Sequence, residues 1–452
     1  MRKYKTLLVV AGFLLLCSSI PLSTASNDEL ESSSCLAVYE QGGAPAVFHS
    51  PQCPNWNLSK TETYRNQIGE NCKVYRLQGR RNYQEDRTVC ELDLHIAFPG
   101  GTGVKEVTVG MVGVFDGHNG AEASEMASKL ILDYFLLHVH FLHHGTLENS
   151  MGKLHHEGDE GSISDVLNGF ANHKEHGLDL RRYRWEFPEI VDGSFHMEVL
   201  KESLLRAIQD IDAKFSEEAH RNDIAAGSTA AVVLIVDNQM LVSNVGDSKA
   251  ILCSETFKTP QDIKDAKLKF YKQRRSHGGS SSVKRFQTGK KHFSVKELTR
   301  DHHPDRDDER SRIESSGGFV EEWSGVPRVN GQLAVSRSIG DIPFKRYGVV
   351  STPEVTEWQL LSSNDTYLVA ASDGIFEKMT TKDVCDLLWD VHEGKPEVVS
   401  SCISSSLAEC IVNAAFESGS MDNMAAIVVP LKSPEEAILT ALDGDIDVKE
   451  EF

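Results

Sequence analysis

Residues 107–120 read VTVGMVGVFDGHNG, a β-branched apolar run that stops at Asp116 and turns at once on Gly117. Runs of this composition are typical of strands, and glycine permits the sharp turn that follows. A strand that ends in this way delivers a carboxylate to the edge of its sheet. The segment therefore predicts a buried strand that contributes an acidic side chain to a site.

Six short aspartate-centred segments recur along the chain, and in five of them an apolar or small-residue run stops at an Asp beside Gly or Asn. Carboxylates brought together from distant parts of a chain suit hard cations, because Mg²⁺ and Mn²⁺ prefer oxygen ligands. Two ions about 3.5 to 4 Å apart could share one bridging carboxylate, for which Asp116 is the natural candidate, and activate a water for attack on phosphorus. The six segments are residues 81–86, 114–118, 245–247, 338–341, 371–374 and 421–423.

Composition limits the classes of function. The chain has 452 residues, of which 40% are hydrophobic and 25% are charged, so it can bury a substantial core. Its formal net charge of -20 disfavours binding to nucleic acid or to an anionic lipid surface, because both would repel it. We therefore expect no nucleic-acid partner and a preference for cationic metals.

The order of predicted elements favours an α+β fold with two packed antiparallel β-sheets flanked by α-helices, an α/β/β/α sandwich with two loop inserts. Several strand pairs lie close in sequence, which favours hairpins over a parallel sheet. Helices are expected at 121–137, 305–316, after Thr380 with Asp383 placed for a capping box, and from about 396 to 417. Strands are expected at 107–115, 230–236, 240–244, 250–253, 367–371 and 424–431.

The chain is expected to contain one main domain, residues 72–432, after a linker at 27–71 and before a flexible acidic tail at 433–452. Two inserts interrupt the domain, near 138–196 and near 255–291. The first is rich in His and the second in Lys and Arg. A solvated loop is the favoured interpretation of both, with metal binding by the first and docking of an acidic or phosphorylated partner by the second as alternatives.

The N-terminus reads as a targeting segment. Basic residues at 1–5 precede an apolar run at 6–20, which is shorter than the about 20 residues that a spanning helix needs, and small residues follow at 23–25. Residues 1–26 are therefore expected to be a signal anchor that crosses the membrane once, or a cleaved signal peptide of a secreted or lumenal protein. The positive charge before the run favours a lumenal domain.

The positions of cysteines and of two asparagines also bear on whether the domain is lumenal. Four cysteines follow the apolar run closely, where an oxidising lumen would permit disulfides, and Asn57 and Asn364 begin glycosylation sequons. For the later cysteines, Cys253, Cys385, Cys402 and Cys410, a buried thiol is the expectation.

The six segments, together with residues 226–230, 243–250, 298–318 and 332–341, resemble those of the metal-dependent protein serine/threonine phosphatases of the protein phosphatase 2C family. The resemblance covers the chain from about residue 72 to residue 431, and the joint order of the segments is specific where each alone is weak. It implies phosphoprotein substrates and a water activated by two ions of Mg²⁺ or Mn²⁺, with a third, weaker ion as an option. A monomer is expected, although the sequence leaves the oligomeric state open.

The resemblance also implies a role for each matching residue. Asp116 would bridge the two metal ions, the carbonyl of Gly117 would complete one, and Asp373 and Asp422 would hold the other. Further metal contacts are expected from Glu85 and Asp86, through bound waters, and from Asp247 at the third ion.

Two further residues match positions that act on the substrate. Arg81 would grip its phosphate, since a planar guanidinium suits two phosphate oxygens, and His118 would protonate the leaving seryl or threonyl oxygen. Asp341 is expected to be structural and outside the site.

Two other functions compete with phosphoprotein hydrolysis. A catalytically weak binding module of the same fold should have lost one of Asp116, Asp373 or Asp422, and none is missing. A metal phosphoesterase that acts on a small metabolite is not excluded by any residue in the chain.

Overall fold

A computed structural model describes residues 27–53, 56, 71–100, 103–151, 195–257, 291–395, 402 and 406–432. The chain divides into two compact units, Met1–Lys60 and Thr61–Phe452. Within the described residues no helix is both long enough and apolar enough to span a membrane. The apolar run predicted as a signal or anchor, the acidic tail and most of both inserts lie outside the described residues.

The first unit contains helix α1 (Asn27–His49), which is interrupted at Gly43, where φ is 61°. A disulfide joins Cys35 to Cys53, and the rings of Phe48 and Trp56 meet edge to face with centroids 6.3 Å apart. The predicted linker at 27–71 therefore contains a helix closed by a disulfide. Cross-linking stabilises a segment too short to bury a large core, and the linker prediction took no account of it.

The second unit contains two antiparallel sheets. One has the strand order β1-β16-β15-β8-β9 and the other β13-β7-β6-β3-β2, with β14 also pairing with β7. The first sheet comprises β1 (Lys73–Leu77), β8 (Lys249–Phe257), β9 (Lys291–Glu297), β15 (Asp365–Ala371) and β16 (Met424–Pro430). The second comprises β2 (Arg87–Gly100), β3 (Gly103–Phe115), β6 (Ala230–Val236), β7 (Gln239–Val245), β13 (Glu354–Val355) and β14 (Gln359–Leu360).

The predicted hairpin between residues 230–236 and 240–244 is confirmed, since β6 pairs with β7 from Ala230 opposite Val245 to Val236 opposite Gln239. Asp237 and Asn238 form its turn with φ values of 46° and 61°. Two positive φ angles in a two-residue loop match the twist of antiparallel strands.

Helices cover the outer faces of both sheets. α2 (Glu122–Met151) and α3 (Phe195–Asn222) pack together, with α2 against β2 and β3. On the other sheet, α7 (Thr381–His392) packs on β9 and α8 (Leu407–Glu417) on β1 and β16. The layers follow the predicted α/β/β/α order.

Alternating side chains of the central strands enter two different cores. In β15, Leu368 and Ala370 face the core between the sheets, whereas Val369 and Ala371 face the core beneath α7 and α8. All four are almost completely buried. A strand buried on both faces reads as a continuous apolar run, which explains why the sequence shows such runs in place of apolar and polar alternation.

Shorter elements surround the sheets. β4 (Gly117–His118), β5 (Gly227–Ser228) and β12 (Ile339–Gly340) form a small three-stranded sheet, and β10 (Val320–Trp323) and β11 (Val326–Val329) form a hairpin. The remaining helices are α4 (Asp307–Ser315), α5 (Ile342–Lys345) and α6 (Asp373–Phe376).

Helix boundaries differ from the prediction in the first half of the domain. The helix predicted to stop at residue 137 continues to Met151, and α3 was not predicted. His138, assigned to a solvated insert, is buried and its Nε2 lies 3.1 Å from a carboxylate oxygen of Asp210. The paired helices bury one another's polar residues, which the sequence pattern did not indicate. By contrast, the capping box of Thr380 and Asp383 is confirmed.

Three disulfides lie in the second unit. Cys72–Cys90 links the start of β1 to β2, Cys253–Cys385 links β8 to α7, and Cys402 pairs with Cys410. The expectation of buried thiols at the last four positions was therefore wrong. Cys253 and Cys385 are 132 residues apart, and only the packing of α7 on the sheet brings their Cα atoms within 5.6 Å.

We expect that replacing both Cys253 and Cys385 by Ala lowers the free energy of unfolding by roughly 2–5 kcal/mol, because the disulfide restricts a long loop in the unfolded chain. Urea unfolding of the two proteins under oxidising conditions measures the difference. The matched change at Cys402 and Cys410, which closes a loop of 8 residues, should cost about half as much. Equal denaturation midpoints for the Cys253 and Cys385 variant and the parent would contradict the prediction.

Candidate active site

Strand ends of both sheets carry the predicted site residues. β3 ends at Phe115 opposite Arg87, the first residue of β2, and β16 begins at Met424 opposite Leu77, the last residue of β1. In the same sheet as β16, β15 ends at Ala371. The acidic residues occupy the connections just beyond these ends, so each sheet presents them along one edge.

Two hydrogen bonds join the edge of one sheet to the edge of the other. The Oγ of Ser372, which follows β15, donates to Oδ2 of Asp86 at 2.8 Å. The backbone N–H of Glu85 donates to Oδ1 of Asn423 at 2.8 Å. These bonds bring the segment before β2 against the segments after β15 and before β16, so carboxylates that are far apart in sequence come together.

Asp86, Asp116 and Asp373 form the carboxylate cluster. Asp86 is fully buried, while Asp116 and Asp373 keep some exposure. Burial raises the pKa of Asp86 to about 7 and that of Asp373 to about 7, and the nearby charge of Asp422 adds to both shifts. The pKa of Asp116 is raised well above its ordinary value by burial and by the charges of its two cluster neighbours. Like charges held this closely resist joint ionisation.

The cluster suits a divalent cation. Oδ1 of Asp86 is buried and has no hydrogen-bond partner within the described part of the chain, and a positive charge would relieve both this deficit and the repulsion among the carboxylates. An all-oxygen donor set favours Mg²⁺ or Mn²⁺. Among the described residues no group of three or more His, Cys, Asp and Glu side chains has the geometry of a formed metal site. Donor chemistry and charge, more than a preformed shell, therefore indicate the cation.

Close approach of the backbone requires glycine at position 117. A Cβ there would lie 2.6 Å from the backbone oxygen of Glu85 and 2.7 Å from Oγ of Ser124. The side chain of Glu85 accepts a hydrogen bond from the N–H of Gly120 at 2.8 Å. Glycine thus lets the segment that carries Glu85 lie directly on the turn after β3.

Arg81 lies at the mouth of the site on a loop that Asn423 holds in place. The Nδ2 of Asn423 donates to the backbone oxygens of Gln78 and Tyr83, at 2.7 and 2.8 Å. Arg81 is 55% exposed, and its Nη2 pairs with a carboxylate oxygen of Asp422 at 2.5 Å. The predicted phosphate ligand and a predicted metal ligand are therefore direct neighbours. The sequence drew attention to residues 421–423 because of Asp422, and the role of Asn423 as a clamp is visible only in the three-dimensional contacts.

Asp247 lies on the turn after β7, close enough for its charge to raise the pKa of Asp116 and Asp373. Its carboxylate lies 3.6 Å from Nε2 of His303, a residue that the sequence analysis did not single out. On the same side, Oγ1 of Thr229 accepts a hydrogen bond from the N–H of Asp116 at 3.0 Å. Asp247 therefore borders the cluster without belonging to it.

His118 contacts an aspartate that we expected to lie outside the site. Its Nε2 is 2.7 Å from Oδ2 of Asp341, which is fully buried. Burial acts to lower the pKa of His118, but the charge and hydrogen bond of Asp341 outweigh it and raise that pKa. A signal was present in the sequence, because Gly340-Asp341 has the same form as Gly246-Asp247.

Comparison with known proteins identifies the family of the chain. A family model described as Protein phosphatase 2C matches residues 171–261 and 279–424. The "Probable protein phosphatase 2C 51" of Arabidopsis thaliana is 51% identical over 421 residues, which cover 89% of this chain and 79% of that protein. Protein phosphatase 2C 76 of Oryza sativa subsp. japonica is 49% identical over 438 residues, which cover 91% of this chain and 87% of that protein.

A solved structure resembles the fold. The structure of a C. elegans sex determining protein superposes with a TM-score of 0.51 at 21% sequence identity, and the match covers 82% of this chain and 67% of that chain. At this identity the likeness concerns the arrangement of helices and sheets alone.

We expect the metal-free protein to lose thermal stability as the pH rises from about 4 to about 7. The raised pKa values of Asp86 and Asp373 mean that the folded state holds protons that the unfolded chain releases near pH 4, so this stabilisation is complete at low pH and is lost as pH rises through about 7. Melting curves in EDTA should show Tm falling by several degrees, and excess Mn²⁺ should remove most of the fall.

Asp373→Asn is the matched variant for this experiment. It removes one titrating group and part of the repulsion, so its Tm in EDTA should depend less on pH than that of the parent. Parallel pH profiles for the two proteins in EDTA would contradict the assignment.

Proposed function

The chain belongs to the protein phosphatase 2C family and is a metal-dependent protein serine/threonine phosphatase, and we propose that the carboxylate cluster is its catalytic centre. One observation carries the proposal. The cluster places Asp86, Asp116 and Asp373 between two sheets, with Arg81 and His118 beside it. Its substrates are accordingly phosphoproteins.

We infer that two ions of Mg²⁺ or Mn²⁺ bind at the cluster, with a third, weaker ion near Asp247. When bound, the ions supply positive charge to the phosphoryl oxygens and activate a water for in-line attack. The side chains and the backbone carbonyl that would hold the two ions directly are those of Asp116, Gly117, Asp373 and Asp422, with Glu85 and Asp86 acting through water.

Arg81 is placed to receive the substrate phosphate. Its side chain is more than half exposed and its guanidinium pairs with Asp422, so a phosphate that arrives from solvent can compete for the same donors. A fork of N–H groups matches two phosphate oxygens, which orients the ester for attack. His118 would then donate a proton to the leaving seryl or threonyl oxygen.

Membership of the protein phosphatase 2C family favours a phosphorylated protein over a small metabolite as the substrate. A non-catalytic binding module is not favoured either, since Asp116, Asp373 and Asp422 are all retained.

We also propose that the chain enters the secretory route, through residues 6–20 as anchor or cleaved signal, and that the phosphatase domain lies in an oxidising compartment. Eight of the nine cysteines pair as four disulfides, which is usual for such compartments. Asn364, which begins a sequon, is exposed in the turn before β15.

We expect the full-length protein to release phosphate from a phosphothreonine peptide only when Mn²⁺ or Mg²⁺ is present, and to stop in EDTA. Asp373→Asn should lower kcat by at least about 100-fold, because a ligand charge is lost from the reacting centre. Asp365→Asn is the control, since Asp365 begins the strand that Asp373 follows and bonds only Ser254 and Ser362 among the described residues. Equal activity of Asp373→Asn and the parent would place the chemistry elsewhere.

Glycosylation tests the compartment. In a eukaryotic secretory host, endoglycosidase should increase the gel mobility of the parent, and Asn364→Gln should remove at least part of that shift. Asn57→Gln distinguishes the second sequon. A chain that carries no glycan and whose thiols react freely when native would contradict the proposed location.

A further inference from the structure

His118 and Asp341 form a contact of their own next to the carboxylate cluster. Oδ2 of Asp341 lies 2.7 Å from Nε2 of His118, and Oδ1 has no hydrogen-bond partner among the described residues. The aspartate is fully buried, whereas the histidine keeps 28% of its side chain exposed. Nε2 of the imidazole thus lies against a buried carboxylate, while part of the side chain stays exposed.

The contact forms at the small three-stranded sheet of β4, β5 and β12. In its register His118 lies opposite Gly227, and Gly227 lies opposite Gly340, so the histidine and the residue before Asp341 flank the same glycine. A Cβ on Gly227 would lie 2.2 Å from Oδ2 of Asp341 and 2.3 Å from Nε2 of His118. Only glycine leaves room for the two side chains to meet.

The backbone of Asp341 is held in an uncommon conformation. Its φ and ψ are 52° and 44°, in the left-handed region, and its N–H donates to the oxygen of Ala226 at 3.1 Å. The preceding N–H, of Gly340, donates to Asp212 at 2.8 Å. Left-handed backbone at a non-glycine residue is often found where a side chain must be aimed at a functional group.

We propose that Asp341 is the positioning residue for His118, fixing the imidazole so that Nδ1, and not Nε2, faces the leaving oxygen of the substrate. The inference rests on the proposed function and deepens it. Because Nε2–H donates to the Asp341 carboxylate, Nδ1 is the nitrogen left to act on the substrate.

As the bond between phosphorus and the seryl or threonyl oxygen breaks, that oxygen keeps the electron pair and takes the proton of Nδ1. The imidazole becomes neutral and retains its Nε2–H, which stays hydrogen-bonded to the side chain of Asp341. An aspartate that orients a catalytic histidine in this way changes the rate without touching the substrate.

Leaving-group dependence tests the proposal. A threonyl oxygen needs the proton, whereas p-nitrophenolate leaves without one. In the full-length protein with Mn²⁺, Asp341→Asn should lower kcat on a phosphothreonine peptide by about 10- to 100-fold, within the range of general acid catalysis. On p-nitrophenyl phosphate its kcat should change less than about 3-fold. Loss of equal size on both substrates would mean that Asp341 only supports the fold.

The double variant with His118→Gln supplies a second criterion. If Asp341 acts through His118, adding Asp341→Asn to His118→Gln should cause no further loss on the peptide, whereas independent roles would multiply the losses. Glu354→Gln is the matched control, because Glu354 also bonds a buried histidine, His302, at 3.2 Å. That control should not change the ratio of activities on the two substrates.

Two outcomes separate this inference from the proposed function. A parent protein that hydrolyses neither substrate with Mn²⁺ overturns the function, whereas an active parent with parallel losses in Asp341→Asn overturns the positioning role alone. If Asp341→Asn does not fold, as judged by circular dichroism, proton NMR of the parent decides. A downfield, slowly exchanging Nε2–H signal that is assigned to His118 is expected, and its absence counts against the hydrogen bond.

Discussion

Repulsion among Asp86, Asp116 and Asp373 is the constraint on which this domain depends. Three carboxylates held together between two sheets oppose folding unless the surroundings fix them, and burial, with neighbouring negative charges added, raises the pKa of each. Ser372 and Asn423 hold the carboxylates together against this repulsion, because their hydrogen bonds join the edges of the two sheets. The same unfavourable charge would favour binding of a cation at the cluster.

Close packing of the central strands fixes the positions of the carboxylates in the cluster. β15 and β16 are buried on both faces, and alternate side chains belong to different cores, so neither strand can shift in register without exposing apolar surface. The connections that carry Asp373 and Asp422 are short and start from these strands. Carboxylates far apart in sequence therefore keep their mutual positions, and the loop with Arg81 follows because Asn423 clamps it.

The pair of His118 and Asp341 lies next to the carboxylate cluster. The ladder of β4, β5 and β12 brings His118 against Asp341 across Gly227, at a point where any larger residue would separate them. The cluster and this pair use different ends of one turn, since Asp116 faces the carboxylates and His118 the buried anion. The carboxylate cluster and the pair of His118 and Asp341 are thus held by different hydrogen bonds.

Local patterns determined much of this protein from sequence. The strand from Ala230 to Val236, its hairpin partner and the capping box of α7 depend on neighbouring residues, and the repeated aspartates beside Gly or Asn indicated the site because each lies where a strand ends. Only the tertiary structure decided that His118 pairs with Asp341, 223 residues away, and that Cys253 forms a disulfide with Cys385. It also decided the length of α2 and the clamp that Asn423 forms. These depend on how separate elements pack, and side chains distant in sequence carry no local periodicity that could reveal their contact.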